Sequence, residues 1–349
     1  MSESELQIPD EGPALVVTAF EQVALETRPV PVPGPGQVLV RTEYSGVSIG
    51  TELWAATGRH HAWGAPPFVP GYQAVGRVVA LGEGTGEESA VAAAAAAREG
   101  ERARRVVPEL AVGDMVACFA LGTHQRYLVA EASLAHRVEE NDRLPAVSLF
   151  VQPAVGANAL NHADVRTGDS VLVVGQGLIG QATAQLARQR GAYVIGSDLS
   201  PERIATARAH CVDRVLDVSA APASEQLADD FPDGVDVVIE STGFAALVDD
   251  AMRCVRRGGT FVFEGFYPQG LAFDFDAPHH KEVRAVFPCF IGDRACREGV
   301  LRMLSAGTPD LQPLISDLHG WGRAADVYAQ LFTERRDHFN AIVFDWKGS

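Results

Sequence analysis

A strand-rich domain followed by a doubly wound, parallel-sheet α/β domain is the fold class this sequence predicts, and three observations predict it. From about Leu15 to Pro153, short runs such as "QVLVRTEYSGVSI", "AVGRVVALG" and "DMVACFA" are rich in β-formers and punctuated by Gly and Pro. From about Ala154 to Phe290, runs nearly continuous in Val and Ile ("SVLVVG", "AYVIGSD", "RVLDV", "VDVVIES", "GGTFVFEG") alternate with helical stretches. Strands of that kind are buried on both faces, which a parallel sheet covered by helices provides. Third, Gly175, Gly177 and Gly180 form G-x-G-x-x-G directly after one of those strands and at the start of an amphipathic helix. The expected division is 1–153, 154–290 and a closing segment 291–349. The last is helical near Arg297 to Ser305, ends in the β-like "FNAIVFDW", and is expected to pack back on the first domain.

At 349 residues the chain can form two domains, each with its own core. Its 47% hydrophobic and 21% charged residues place it among soluble globular proteins. The formal charge, 29 minus 45 or −16, argues against nucleic acid or an anionic membrane as partner and leaves a small molecule. The start "MSESELQIPDEG" has neither the basic flank nor the apolar core of a signal peptide, and no long uninterrupted apolar span follows, so a cytoplasmic location is expected. Cys118, Cys211, Cys254, Cys289 and Cys296 lie singly, a spacing that supports neither a disulfide framework nor a structural zinc site. The Ala-rich insert Ser89 to Arg105 favours helix and reads either as a solvent-exposed excursion or as a lid or partner-binding arm.

Each glycine of the motif has its own physical task. Gly175 permits the tight turn, Gly177 lets the backbone approach a pyrophosphate, and Gly180 allows helix to pack close on strand. The helix start, Leu178 and Ile179, presents unpaired N–H groups to that phosphate. Asp198 follows 18 residues after Gly180 at the end of the next strand, where a carboxylate accepts ribose hydroxyls and repels a 2′-phosphate. NAD(H) is therefore expected over NADP(H). Leu199 flanks that contact, and Arg203 either softens the discrimination or is a surface helix residue.

The stretches "PGPGQVLVRTEYSGVSIGTE", "PFVPGYQAVGRVVALG", "VGDMVACF", "GTHQRYLVA", "GDSVLVVGQGLIGQATAQLAR" and "CVRRGGTFVFEGF", in this order, resemble the medium-chain dehydrogenase/reductase superfamily. The likeness covers the chain apart from the first dozen residues and the Ala-rich insert. It implies a GroES-like catalytic domain joined to a Rossmann NAD-binding domain, and a homodimer. "SGVSIGTE" with "PFVPGYQAVGRV" is most similar to the branch containing bacteriochlorophyllide hydroxyethyl dehydrogenase, which oxidises a secondary alcohol to a ketone.

By the same resemblance, three zinc-ligand positions are changed. The Cys of the first motif falls on Ser48 or Ile49, the ligand His becomes Tyr72 with Gln73 beside it, and Gln152 stands at the third position. The four-Cys structural lobe is missing as well. Zinc requires three protein ligands even at catalytic sites, so a zinc-free member is implied; a rearranged site from His60, His61 and a carboxylate is the competing arrangement.

A donor other than metal must then polarise the substrate oxygen. Tyr72 is the leading candidate, as a phenol of ordinary pKa about 10 suits a general acid for ketone reduction; the other reading makes it a wall of the pocket. Thr51 corresponds to the family's proton-relaying Ser/Thr, or is a turn residue, and Glu52 replaces a supporting Asp. His124, ahead of a strand that lines the substrate cleft in relatives, is either an acid–base group or a packing histidine. The exposed reading is preferred for His279 and His280. Ser48, Trp54, His60, Trp63 and Gln152 are substrate-side candidates. Ser241 and Thr242 in "IESTG", Gly265 and Phe266 in "FEGF", and Phe287 in "RAVFPCF" match segments around the nicotinamide, the last also an edge strand used for dimerisation. The expected activity is zinc-independent, NAD(H)-dependent interconversion of a secondary alcohol and a ketone, on a polyol, cyclitol or other biosynthetic intermediate. An NADPH-dependent quinone or enoyl reductase and a non-catalytic nucleotide-binding protein are the alternatives.

Overall fold

The computed structural model describes residues 7–60, 62–85, 110–267, 270–333 and 338–348. The Ala-rich insert and His61 lie outside the described residues. The chain forms two compact units: residues 1–151, 293–307 and 315–349 make unit 1, and residues 152–292 and 308–314 make unit 2. Against the expected single closing segment, residues 308–314 belong to unit 2, where the Asp310 N–H donates to Gln185 Oε1 and the Gln185 amide returns a bond to Asp310 O at 3.0 Å.

Unit 1 begins with a hairpin of β1 (Glu11–Ala19) and β2 (Gln22–Pro29). Next come β3 (Gln37–Val47), helix α1 (Ile49–Ala56), β4 (Gln73–Leu81), β5 (Met115–Phe119), β6 (Tyr127–Glu131), β7 (Ala135–Arg137) and helix α2 (Leu144–Val147). Val38, Val40, Val78, Val116, Cys118 and Leu128, all from these strands, are buried together in one core.

Helix α3 (Val151–Ala163) starts on the last residue of unit 1's first segment and leads into unit 2, which then alternates: β8 (Ser170–Val174), α4 (Leu178–Gln189), β9 (Tyr193–Asp198), α5 (Pro201–His210), β10 (Arg214–Asp217), α6 (Ala223–Leu227) and β11 (Val235–Glu240). Helix α7 (Val248–Arg253), β12 (Val255–Phe263), α8 (Asp276–His280) and β13 (Arg284–Val286) complete it. The strands pair in parallel in the order β10-β9-β8-β11-β12-β13. Counted from β8 this is 3-2-1-4-5-6, the doubly wound dinucleotide-binding order, whose direction reverses between β8 and β11. Val and Ile recur because both faces are covered: Leu172, Ile195, Val238 and Phe261 are buried in the core of one face.

Later chain returns to unit 1 as α9 (Arg294–Ser305), β14 (Ile315–Gly320), α10 (Ala324–Leu331) and β15 (Ala341–Asp345). Asp293 caps α9, its carboxylate accepting from the Cys296 N–H at 2.8 Å. The larger sheet of unit 1 runs β14-β15-β3-β4-β5-β7, with β6 also paired to β3. Strand β15 lies antiparallel to the end of β3, which carries Ser45 and Val47 toward α1.

One buried contact of unit 1 makes its stability acid-sensitive. The Arg297 Nε–H donates to Nε2 of His136 at 3.1 Å, while Nδ1 faces Glu298 Oε1 at 3.8 Å. Burial lowers the His136 imidazole from 6.5 to about 4, and His136 with Arg294 holds the Glu298 carboxyl down at about 2. Between pH 6.5 and 4 the unfolded imidazole takes a proton that the folded one refuses, so stability falls as pH falls through that window. Glu298 contributes above 4.5 and its contribution is lost on further acidification toward 2. Each group has a limiting slope of about 1.4 kcal/mol per pH unit. Denaturant midpoints at pH 7 and pH 5 are expected to differ in wild type and to converge in His136→Gln, whose amide oxygen can still accept from Arg297; an unchanged difference in the variant would remove His136 as the cause.

Candidate active site

The glycine turn after β8 is built from positions with different constraints. Gly175 has φ +90, the left-handed region, and a Cβ there would lie 2.5 Å from Thr242 Cγ2. A Cβ on Gly180 would overlap the carbonyl oxygen of Gly175. Gly177 differs: it is the N-cap of α4, φ is ordinary, and nothing lies within 4 Å of an added Cβ. Nothing inside the described protein meets a side chain added there, and no side chain caps the helix N-terminus. That combination fits a dinucleotide pyrophosphate. Gly177→Val is expected to melt with wild-type Tm but to bind NADH at least about tenfold more weakly, whereas Gly180→Ala loses about 1–3 kcal/mol of stability through overpacking. Calorimetric melting beside NADH fluorescence titration reads both, and equal Tm losses in the two variants would refute the distinction.

Asp198 ends β9 and is 7% exposed. Its Oδ2 accepts from the Gln176 N–H at 2.7 Å, and Oδ1 accepts from Leu199 and Ser200 N–H at 2.8 and 2.9 Å. The carboxylate is thereby fixed beside the glycine turn. A carboxylate offers about four acceptor sites, so one remains for a ribose hydroxyl. Leu199 is exposed at 66%, Leu178 and Ile179 are half-buried at the start of α4, and Arg203, on α5, keeps a buried Nε without a hydrogen-bond partner.

The ends of β11 and β12 adjoin the same turn. The Ser241 hydroxyl donates to Val174 O at 2.8 Å, and its oxygen is 3.1 Å from Gly175 O. Glu240, fully buried, accepts from the Thr242 N–H at 2.8 Å, the Gly243 N–H at 3.1 Å and the hydroxyls of Thr242 and Tyr267. A Cβ on Gly265 would strike Gly243. Phe266 is exposed, as is Phe287, which stacks on Phe263 with centroids 4.6 Å apart. His279 and His280 are exposed on α8.

In unit 1, Tyr72 is 8% exposed and packs its ring between Trp63 and Phe119, centroids 6.2 and 5.9 Å away. Its backbone is fixed from both sides. Gly71 adopts φ +89, a Cβ on it would lie 2.5 Å from Thr123 Oγ1, the Ala120 N–H donates to Tyr72 O, and the Gln73 N–H donates to Thr123 Oγ1. The Gln73 side chain accepts from the Val151 N–H at 3.0 Å, a bond that ties the residue after Tyr72 to the start of α3. The buried Trp63 Nε1 has no hydrogen-bond partner. His60 stands edge-on to Trp63 at 5.8 Å, and its Nδ1 accepts from the Ala62 N–H. Trp54 and Thr51 are half-buried on α1.

Of the two readings of His124, acid–base group or packing histidine, its surroundings are those of the second. It is fully buried between Nδ1···Ser45 Oγ at 2.7 Å and Nε2···Glu52 Oε2 at 2.8 Å, so both ring nitrogens are occupied within the protein. The Trp346 Nε1–H donates to Ser45 Oγ at 2.8 Å, the Ser48 N–H to Glu52 Oε1 at 2.6 Å, and the Tyr328 hydroxyl to Glu52 Oε2. These donors assign the protons. The Glu52 carboxylate can only accept, so Nε2 donates to it, and the Ser45 oxygen, which already accepts from the indole, has its own proton to give to Nδ1. Burial, then the Glu52 carboxyl, push the Tyr328 phenol well above its ordinary range. Ser45, Tyr328 and Trp346 escaped the sequence reading, since no local pattern marks them as members of a network with His124 and Glu52.

The metal-ligand positions now hold a hydroxyl or an alkyl group (Ser48 or Ile49), a phenol (Tyr72) and an amide (Gln152, 2% exposed near the start of α3). These are not the thiolate, imidazole and carboxylate donors zinc takes. Among the described residues no group of three or more His, Cys, Asp and Glu side chains is placed to hold a metal. Burial raises the Cys118, Cys211 and Cys254 thiols to about 12, 11 and 12.

Comparison with known proteins places this architecture. The family model described as "Alcohol dehydrogenase GroES-like domain" matches residues 34–140, and that described as "Zinc-binding dehydrogenase" matches residues 179–306. An alcohol dehydrogenase of Rhizobium meliloti (strain 1021) is 30% identical over 283 residues, 73% of this chain and 77% of that protein. L-galactonate-5-dehydrogenase of Escherichia coli (strain K12) is 28% identical over 94% of this chain and 98% of its own length. A solved short chain alcohol dehydrogenase from E. coli CFT073, complexed with NADH, shares the fold with a TM-score of 0.81 at 20% identity, over 97% of this chain and 100% of that one. The chain belongs to the medium-chain dehydrogenase superfamily of zinc-type alcohol dehydrogenase-like proteins. Among the described residues no helix is long and apolar enough to cross a membrane.

Proposed function

We propose that the protein is an NAD(H)-dependent oxidoreductase that interconverts a secondary alcohol and a ketone without zinc. The observation that carries this reading is Gly177, where an added Cβ would meet nothing at the N-terminus of α4, with Asp198 fixed beside the turn. The helix N–H groups take the pyrophosphate, and Asp198 accepts from the adenosine ribose and disfavours a 2′-phosphate. When bound, nicotinamide supplies or removes hydride at its C4. Tyr72 holds the proton for the substrate oxygen, in the ligand position that zinc-bearing relatives fill with His. Thr51, on α1, passes that proton onward, and His124 acts through Glu52 by fixing the helix on which Thr51 stands.

Trp54, His60 and Trp63 form the substrate-side wall of unit 1, suited to a polyol, cyclitol or other hydroxylated biosynthetic intermediate; likeness to a galactonate dehydrogenase supports that class. The exposed Phe287 beside edge strand β13 supports a homodimer.

Metal analysis of purified protein, combined with NADH and NADPH oxidation on sugar-derived ketones, quinones and enones, tests the proposal. Ketone reduction with NADH by protein holding well under one zinc per chain is the expected result. Stoichiometric zinc whose removal by a chelator abolishes turnover would defeat zinc independence. NADPH-dependent turnover of quinones or enones alone would favour the enoyl or quinone reductase, and tight NADH binding without any turnover would favour a non-catalytic role.

A further inference from the structure

Glu264 immediately follows β12, and its N–H donates to Glu240 O at 2.9 Å. Its Oε1 accepts from the Thr183 hydroxyl of α4 at 3.0 Å, and a Cβ on Gly156 of α3 would overlap that same hydroxyl, so two helices close over the contact. Oε2 is buried and has no hydrogen-bond partner. The neighbouring acid, Glu240, is itself fully buried, and no cationic side chain among the described residues offsets Glu264.

The position of this acid follows from the topology. Ligands of an open parallel sheet lie across the carboxyl ends of its strands, at the point where strand order reverses, here between β8 and β11. Asp198 on β9 takes the adenosine half, so the other half lies over the ends of β11 and β12, where Thr242, Gly243 and Gly265 are packed together. Glu264 stands at that end.

We propose that Glu264 exchanges a proton in response to the charge of the bound nicotinamide, so that NAD+ is held with Glu264 ionised and NADH with Glu264 protonated. This rests on the cofactor assignment above. Burial foremost, and the Glu240 carboxyl, raise Glu264 to about 8 against the lowering effect of the Thr183 hydroxyl. The free protein therefore carries the neutral acid at pH 7. The oxidised ring is cationic and the reduced ring neutral. A carboxylate close to the cation is stabilised, so NAD+ binding lowers the affinity of Glu264 for its proton and releases that proton to solvent. Reciprocity then requires NAD+ to bind more tightly as pH rises, while NADH has no such term. No bond to the cofactor forms; one proton leaves on NAD+ binding and returns on reduction. The other titratable groups at this end are Glu240 from β11 and Tyr267, whose phenol is bonded to Glu240 and held far above its ordinary range by burial.

Calorimetric titration of the full-length protein with NAD+ in two buffers of different ionisation enthalpy counts the protons released, and fluorescence titration gives the NADH affinity from pH 6 to 9. NAD+ is expected to bind more than about tenfold more tightly at pH 9 than at pH 6, with NADH changing less than about twofold. In Glu264→Gln the proton release and the NAD+ slope disappear while NADH affinity persists, which also shows that the fold is intact. Thr183→Val, lacking the hydroxyl that favours the ionised form, moves the midpoint of the NAD+ profile to higher pH. Wild-type proton release in Glu264→Gln would overturn the proposal, as would binding of both cofactors by wild type with no proton released. Failure of NAD+ and NADH to bind at all would instead overturn the cofactor assignment and this proposal with it.

Discussion

Tyr72→Phe is expected to lower kcat for ketone reduction by about 10²- to 10⁴-fold, the usual contribution of a positioned proton donor. The substitution removes one oxygen and keeps the ring that packs against Trp63 and Phe119. The backbone around it is held by Gly71 and by bonds from residues 120 and 123, none of which involves the phenol. Folding stability should therefore change by no more than about 1 kcal/mol, the ordinary worth of a hydrogen bond. NADH affinity should not change, since the glycine turn belongs to unit 2. Steady-state rates beside a denaturation curve and an NADH titration separate these quantities. A loss confined to kcat assigns the phenol to the reacting oxygen. Full activity in the variant would show that Tyr72 only walls the pocket.

How far the sequence revealed these features depended on the range of the interactions. The dinucleotide turn was legible because its causes are local: three glycines within six positions after an apolar strand, and an Asp ending the next strand. The alternation of Val-rich strands and helices was legible for the same reason, as burial on both faces leaves its mark residue by residue. The network around His124 was not. Its bonds join residues 72, 276 and 301 positions apart, to Glu52 from His124, to Glu52 from Tyr328 and to Ser45 from Trp346. A histidine in "GTHQRYLVA" shows its chemistry but not its burial, so the sequence could not separate an acid–base group from a buried clamp. Glu264 left a fainter mark. An acid ending the apolar run "GGTFVFEG" was visible, but its raised proton affinity depends on Thr183 and Glu240, which approach from other elements.

Glu52→Ala is expected to cost about 3–5 kcal/mol of stability, the range for removing one partner from a buried polar cluster. Glu52 is fully buried, and three donors converge on it: the Ser48 N–H, the His124 Nε2–H and the Tyr328 hydroxyl. Without its carboxyl all three lose their acceptor in a site closed to water, each at a cost of about 1–3 kcal/mol before relaxation. Glu52→Gln should cost less, since the amide oxygen can still accept from Ser48. Its NH2 group then faces two donors, a conflict relieved if the His124 proton moves to Nδ1 and the Tyr328 hydroxyl turns to accept. The imidazole then donates to Ser45, which already accepts from Trp346, and the serine proton loses its acceptor. A penalty of about half that of Ala follows. Because the network lies wholly in unit 1, NADH affinity should survive both substitutions while turnover falls with the displacement of Thr51. Denaturant unfolding, NADH titration and turnover measured on both variants test each step. An Ala variant within about 1 kcal/mol of wild type would mean that water or another group satisfies the three donors, and that Glu52 does not hold α1 in place.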